Sequence, residues 1–311
     1  MHSVKVLVSD SIHEEGLKVL RDAQLKVDTK FDLTREGLVQ TIADYDVLVV
    51  RSRTQVTREV LDAAKRLKVV ARAGVGLDNI DVASAQGRGV ILLNAPEPAA
   101  SAVAELTVGL ILSVLQGIMR FDRNIRDGKK EETISLKEVK GKTLGVIGFG
   151  RIGSAVADKM KMAFGMRVLA YDPVVKAERM SEMGVELVEL DELLRKSDVI
   201  TIHAPLTKET RGLIDEKRIG LMKKGAYLIN TSRGGIVSEE SLLKALKSGV
   251  IAGAALDVFE SEPPTNLALV QMPNVVCTPH IGAQTSEAQK EISVTIARKV
   301  VETVRSGFVT R

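Results

Sequence analysis

Short apolar runs alternate with helix-periodic segments along almost the whole chain. Val4–Val8, Val47–Val50, Val69–Ala71 and Val90–Leu93 read as strands. Val47–Val50 follows Asp44-Tyr45-Asp46 and contains no polar position, the pattern of a strand covered on both faces. Between these runs, Ile12–Arg21 carries Ile12, Gly16, Leu17 and Leu20 on one helical face, and Thr57–Ala64 reads as another helix. Such alternation predicts a parallel sheet layered with helices. A long helical pattern then runs from Ala99 to about Ile118, opened by Pro96-Glu97-Pro98. Its only charge is Glu105, so it must be buried in a core or an interface. Arg120–Lys142 is polar and basic and reads as a connector. A second alternating series starts at Thr143, with strands at Leu144–Ile147, Val168–Tyr171, Val199–Ile202, Tyr227–Ile229, Ile251–Leu256 and Val275–Cys277. Ser286-Glu287-Ala288-Gln289 has the spacing of a capping box and opens a last amphipathic helix ending near Ser306-Gly307. Tyr45-Asp46-Val47-Leu48 and Ser197-Asp198-Val199-Ile200 repeat one βα signature in the two halves. The predicted class is α/β, with two doubly wound domains.

A length of 311 residues suits two domains. With 45% hydrophobic and 27% charged residues the composition is that of a globular chain and excludes a disordered one. The net charge of +4 is too small for the dense basic stripe of a nucleic-acid binder, and 3% aromatics offer little surface for base stacking. Cys277 is the single cysteine, so neither an intrachain disulfide nor a cysteine metal cluster is available. The longest uncharged apolar stretch, Leu106–Met119, has 14 residues, short of the ~20 that cross a bilayer. No metal, membrane or nucleic-acid partner is expected, and a cytoplasmic location is.

Gly148-Phe149-Gly150-Arg151-Ile152-Gly153 fits G-x-G-x-x-G, and its surroundings fit a dinucleotide turn. A strand precedes it, a helical run follows it, and the next strand ends at Asp172. In such a turn Gly148 permits the bend, Gly150 lets the backbone approach a pyrophosphate, and Gly153 lets helix and strand pack closely. The helix N-terminus offers free N–H groups to the phosphates. A carboxylate at Asp172 would accept from a ribose diol and repel a 2′-phosphate, favouring NAD over NADP.

Three later segments place polar groups at predicted strand ends, where open α/β sheets bind ligands. They are Asn230–Gly235, Leu256–Pro264 and Thr278–Ala283. Taken singly, a histidine such as His280 is more often a hydrogen-bonded loop residue than a catalyst, Glu262 could be a solvated turn carboxylate and Arg233 a surface charge. Spacing does not separate these readings. In order along the chain, however, the glycine fingerprint, the Arg-Gly-Gly loop, Asp-Val-Phe-Glu-Ser-Glu-Pro and Thr-Pro-His-Ile-Gly resemble the D-2-hydroxyacid dehydrogenase family. The resemblance implies an NAD-binding Rossmann domain and a flavodoxin-like substrate domain, with Arg233, Glu262 and His280 as catalytic residues. It also implies cofactor contacts from Arg151, Ile152, His203, Ala204, Pro205, Thr231 and Asp257, with a buried strand-end cap as the lesser alternative for Asp257. The chemistry suits these residue types. An imidazole takes the hydroxyl proton as hydride leaves C2, a carboxylate orients the imidazole, and a guanidinium holds the substrate carboxylate.

Arg51-Ser52-Arg53 and Arg72-Ala73-Gly74-Val75-Gly76 follow predicted strands in the N-terminal half. Gly74 and Gly76 would let backbone N–H groups approach a carboxylate, and Arg51, Arg53 and Arg72 suit a doubly anionic substrate. Within the family these segments look most like the phosphoglycerate dehydrogenase branch in a short form without a regulatory domain, which implies 3-phosphoglycerate as substrate. The chain departs from that branch at Asp127-Gly128-Lys129, where Lys130–Ile134 brings no aromatic residue. The family resemblance also implies a discontinuous substrate domain, 1–98 with 285–311, around a nucleotide domain at 99–284. It implies a homodimer through helix 99–118. The rival expectations are a glyoxylate or hydroxypyruvate reductase, and an NAD-sensing binding protein of the same fold.

Overall fold

The computed structural model describes residues 3–129 and 136–308. The chain divides into two compact units, Met1–Ala102 with Ala283–Arg311, and Val103–Gly282. The first turn of the long apolar helix therefore belongs to the N-terminal unit, where Ala99 and Ala102 join its core. The stretch Lys130–Ile134 lies outside the described residues.

In the first unit, β1 (Lys5–Val8), β2 (Lys26–Thr29), β3 (Val47–Val50), β4 (Val69–Arg72) and β5 (Ile91–Asn94) form a parallel sheet in the order β2-β1-β3-β4-β5. Every residue of β3 is buried, as its unbroken apolar run requires. Val47 and Val49 face one core layer, and Leu48 and Val50 face the other. The last helix, Ser286–Arg305, returns to this unit and packs Ala288, Ile292, Ile296 and Val300 beneath the sheet. It approaches the helix Glu14–Asp22 so closely that a Cβ on Gly16 would stand 2.7 Å from the Ser293 carbonyl oxygen.

In the second unit, β6 (Thr143–Ile147), β7 (Arg167–Tyr171), β8 (Glu186–Leu187), β9 (Val199–Ile202), β10 (Ala226–Asn230), β11 (Ile251–Leu256) and β12 (Val275–Cys277) pair in the order β12-β11-β10-β9-β6-β7-β8. The chain winds outward from β6 to β8 and then resumes beside β6 with β9, so the strand order reverses between β6 and β9. The equivalent reversal in the first sheet falls between β1 and β3. Loops leaving the carboxyl ends of strands at such a reversal diverge and leave a crevice.

Three features differ from the sequence reading. The apolar helix ends at Leu115, and after Gly117, in the left-handed region at φ 62°, a second helix runs from Ile118 to Arg126. The expected connector therefore begins as a helix. The edge strands β2 and β8 were missed because their residues are half-buried or exposed, and edges do not need an apolar run. The last helix is capped by Thr285, whose hydroxyl accepts from the Ala288 N–H at 3.2 Å, so the cap lies one residue before Ser286. Gln289 reaches back to the Ala283 carbonyl instead of closing a capping box. Among the described residues no single helix is long and apolar enough to cross a membrane.

Candidate active site

The glycine turn leaves β6 and enters the helix Arg151–Phe164. Each glycine meets a different constraint. Gly148 sits at φ 89°, and a Cβ there would lie 2.7 Å from the Ala204 backbone nitrogen. On Gly153 it would lie 2.0 Å from the Gly148 carbonyl oxygen, because helix and strand are in backbone contact. On Gly150 it would meet nothing within 4 Å. That open space, beside the N-terminus of a 14-residue helix, fits a dinucleotide pyrophosphate. Arg151 opens this helix on its exposed side, and Ile152 packs into the core below.

Asp172 follows β7, and its carboxylate accepts from the Phe149 N–H at 2.8 Å. Its second oxygen takes the Val174 and Val175 N–H groups at 2.8 and 3.0 Å. The carboxylate thus ties the turn to the neighbouring loop, and one of its roughly four lone-pair positions remains for a ribose hydroxyl. His203 follows β9; its Nε2 lies 2.9 Å from the Thr201 hydroxyl, while Nδ1 is buried without a hydrogen-bond partner. Burial pushes this imidazole down to about 3. Ala204 and Pro205 continue the same loop, alongside Gly148.

The loop after β10 is organised by Asn230, which sequence reasoning did not single out. Its side-chain oxygen accepts from the Ser232 N–H and hydroxyl, and its amide donates to the Arg233 carbonyl at 2.9 Å. Thr231 is buried, with its hydroxyl 2.9 Å from that of Thr107. Thr107 in turn donates to the Val103 carbonyl at 2.7 Å. Gly234 has no room for a side chain, because its Cβ would fall 1.7 Å from the Phe259 carbonyl oxygen. The Arg233 loop and the loop after β11 are therefore pressed together along their backbones.

Asp257, 1% exposed, follows β11 and holds the loop that carries His280. It accepts from the Thr278 hydroxyl at 2.6 Å, the Ile281 N–H at 2.9 Å and the Gly282 N–H at 3.0 Å, and its own carbonyl accepts the His280 N–H. Three of its roughly four lone-pair positions are used in this way, so the buried carboxylate chiefly fixes the His280 loop. Thus held, His280 adopts φ 53°, a left-handed conformation that costs a non-glycine residue roughly 1–3 kcal/mol and that tends to persist at functional sites. Its Nδ1 lies 2.9 Å from Glu262 Oε2, and the other carboxylate oxygen accepts the Phe259 N–H at 3.3 Å. An ionised carboxylate only accepts, so Nδ1 is the donor in this pair and Nε2 is the ring nitrogen it leaves unengaged. Both side chains stay close to half exposed, at 46% and 41%.

In the first unit, Arg51, Ser52 and Arg53 leave β3 beside Asp10, and Arg72 ends β4. Gly74 departs from the sequence reading. Its N–H is taken by the Arg72 carbonyl at 2.9 Å, and a Cβ there would strike the Arg72 guanidinium at 1.6 Å. Glycine is needed at this position for the arginine to fold across it, and in this conformation the N–H does not point to an anion. The Val75 carbonyl accepts from Asn94, and Gly76 continues the turn.

Residues 108–282 match the family described as D-isomer specific 2-hydroxyacid dehydrogenase, NAD binding domain. The chain is 46% identical over 304 residues to a D-3-phosphoglycerate dehydrogenase of Methanocaldococcus jannaschii, covering 97% of this chain and 58% of that one. It spans little more than half the length of that relative. A hydroxypyruvate reductase of Thermotoga maritima is 44% identical, over 96% of this chain and 98% of its own. The NAD⁺-bound 3-phosphoglycerate dehydrogenase of Entamoeba histolytica superposes with a TM-score of 0.84 at 27% identity, over 98% of this chain and 97% of that one. The glycine turn, the strand-end loops and these matches lead to one assignment: the chain belongs to the NAD-binding D-isomer specific 2-hydroxyacid dehydrogenases.

Proposed function

We propose that the protein oxidises 3-phosphoglycerate to 3-phosphohydroxypyruvate with NAD, a reaction of L-serine biosynthesis. The observation that carries the chemistry is the His280–Glu262 pair, with Nδ1 bonded at 2.9 Å. Nε2 takes the proton of the C2 hydroxyl, and Glu262 stabilises the imidazolium that results. NAD, when bound at the Gly148–Gly153 turn, supplies the acceptor for the hydride from C2. Arg233 holds the substrate carboxylate and polarises the C2 oxygen. We assign nucleotide binding to the unit Val103–Gly282. Substrate recognition is assigned to the other unit, where Arg51 and Arg53 take the phosphate and the N–H groups of Val75 and Gly76 the carboxylate end.

The test is a substrate panel followed by NADH absorbance. We expect a KM at least tenfold lower for 3-phosphoglycerate than for glycerate; equal KM values overturn the assignment. A second reading, reduction of hydroxypyruvate or glyoxylate, is favoured by the Thermotoga maritima relative, which the chain matches along 98% of its length. Efficient turnover of hydroxypyruvate without preference for phosphate would select it.

We also infer a homodimer through the helix Ala99–Leu115 and its continuation. One face of the first helix is buried, but Leu106, Val108 and Leu112 stay partly uncovered, and Ile118, Met119 and Ile125 are 50%, 46% and 80% exposed. Large apolar side chains left uncovered on both helices support an interface there.

A further inference from the structure

Asp10 follows β1 and the Arg51–Thr54 loop follows β3, so they meet where the strand order of the first sheet reverses. Asp10 is 3% exposed. Its Oδ1 accepts from Arg53 Nε at 3.0 Å and the Thr54 hydroxyl at 2.8 Å. Its Oδ2 accepts from the Arg51 N–H at 2.6 Å and the Thr54 N–H at 3.2 Å. All four lone-pair positions are taken, so the carboxylate has nothing left for a substrate. From the other side, Asn79 Nδ2 donates to the carbonyls of Arg51 and Thr54 at 2.7 and 2.6 Å. The loop is thus clamped at its N–H groups by the buried Asp10 and at its carbonyls by the half-buried Asn79.

This clamp also sets the arginine. Arg53 gives Nε to Asp10 and one Nη2 hydrogen to the Ser9 carbonyl at 2.8 Å. The guanidinium is rigid and planar, so two anchors fix its plane on a side chain that is 52% exposed, with Nη1 facing the fully exposed carboxylate of Asp32 at 4.0 Å. A buried carboxylate is costly unless fully bonded, and this one is bonded entirely to the loop that carries the arginines.

We propose that Asp10 is a positioning residue for phosphate recognition: it holds the fork of Arg53 and the Arg51–Thr54 loop in the orientation that receives the substrate's phosphate. This inference rests on the reading of 3-phosphoglycerate as substrate. Asp10→Asn is the informative change, because either orientation of the amide turns an NH₂ toward two donors. It should raise KM for 3-phosphoglycerate about tenfold or more, leave kcat within about twofold, and leave KM for glycerate and the Kd for NADH unchanged. In an Arg53→Ala background the same substitution should add less than about twofold to KM. A purely structural role would move all substrates and NADH together and would be additive with Arg53→Ala. Either of those results, or an unchanged KM for 3-phosphoglycerate, overturns the proposal. If Asp10→Asn does not fold, Thr54→Val removes one donor from Oδ1 and should raise the same KM severalfold; no change refutes the proposal. A wild-type enzyme indifferent to phosphate refutes the substrate reading and this inference with it, whereas a selective wild type with an unaffected Asp10→Asn variant refutes the inference alone.

Discussion

Gly150→Ala separates folding from cofactor binding at the glycine turn. The backbone at Gly150 has φ −74° and ψ −156°, which alanine adopts without strain, and its Cβ would meet no protein atom within 4 Å. The only folded-state cost is a weaker helix N-cap, at most ~1 kcal/mol. A melting temperature within about 4 °C of wild type is therefore expected. The methyl group would instead occupy the space where a pyrophosphate approaches. Overpacking of one methyl costs about 1–3 kcal/mol, equivalent to roughly 5- to 150-fold in Kd. Gly148→Ala is the control. Its φ of 89° costs alanine about 1–3 kcal/mol, and the 2.7 Å approach to the Ala204 nitrogen is to backbone that cannot swing aside. That variant should lose stability as well as affinity. Thermal melts and NADH fluorescence titrations of both variants read the two effects independently. Wild-type NADH affinity in a folded Gly150→Ala protein would refute the placement of the pyrophosphate.

The active-site pair predicts that His280→Ala lowers kcat by about 10²–10⁴, the usual range for a general base, with NADH affinity retained. Glu262→Gln should give a smaller loss, because the amide oxygen still accepts from Nδ1–H without stabilising the imidazolium. Retained turnover in His280→Ala refutes the mechanism. His203 is held neutral by burial, with its folded value pushed down to about 3 from an ordinary 6.5. The unfolded chain therefore binds a proton that the native state refuses, and stability is lost as pH falls from about 6.5 toward 3. His203→Gln should flatten that part of the Tm-against-pH curve; an unchanged slope shows that other groups set it. Analytical ultracentrifugation at micromolar concentration should find a dimer, and Ile118→Asp with Met119→Lys should yield monomers. A monomeric wild type removes the proposed interface.

The glycine turn was legible because its chemistry is local: three glycines, a preceding strand and a following helix lie within about twenty residues. The buried central strands were legible for a related reason, since a strand covered on both faces must be apolar throughout, as Val47–Val50 is. β2 and β8 were not, because an edge strand is held by backbone bonds and tolerates sequences such as Lys-Val-Asp-Thr. The cap of the last helix was misplaced by one residue because Thr285 and Ser286 are both good caps, and only the Ala288 N–H bond distinguishes them.

The site divides along the same line. Sequence by itself determined the residue types and their positions at strand ends, because apolar periodicity and turn chemistry act over a few residues. Only the tertiary structure decided which of those side chains meet. His280 and Glu262 join across two loops, Asn230 shapes the Arg233 loop, and Gly74 makes room for Arg72. Asp10 binds a loop some forty residues further on. The His280–Glu262 and Asp10 contacts join loops that leave different strands, so they depend on strand order, and strand order follows from how whole layers pack.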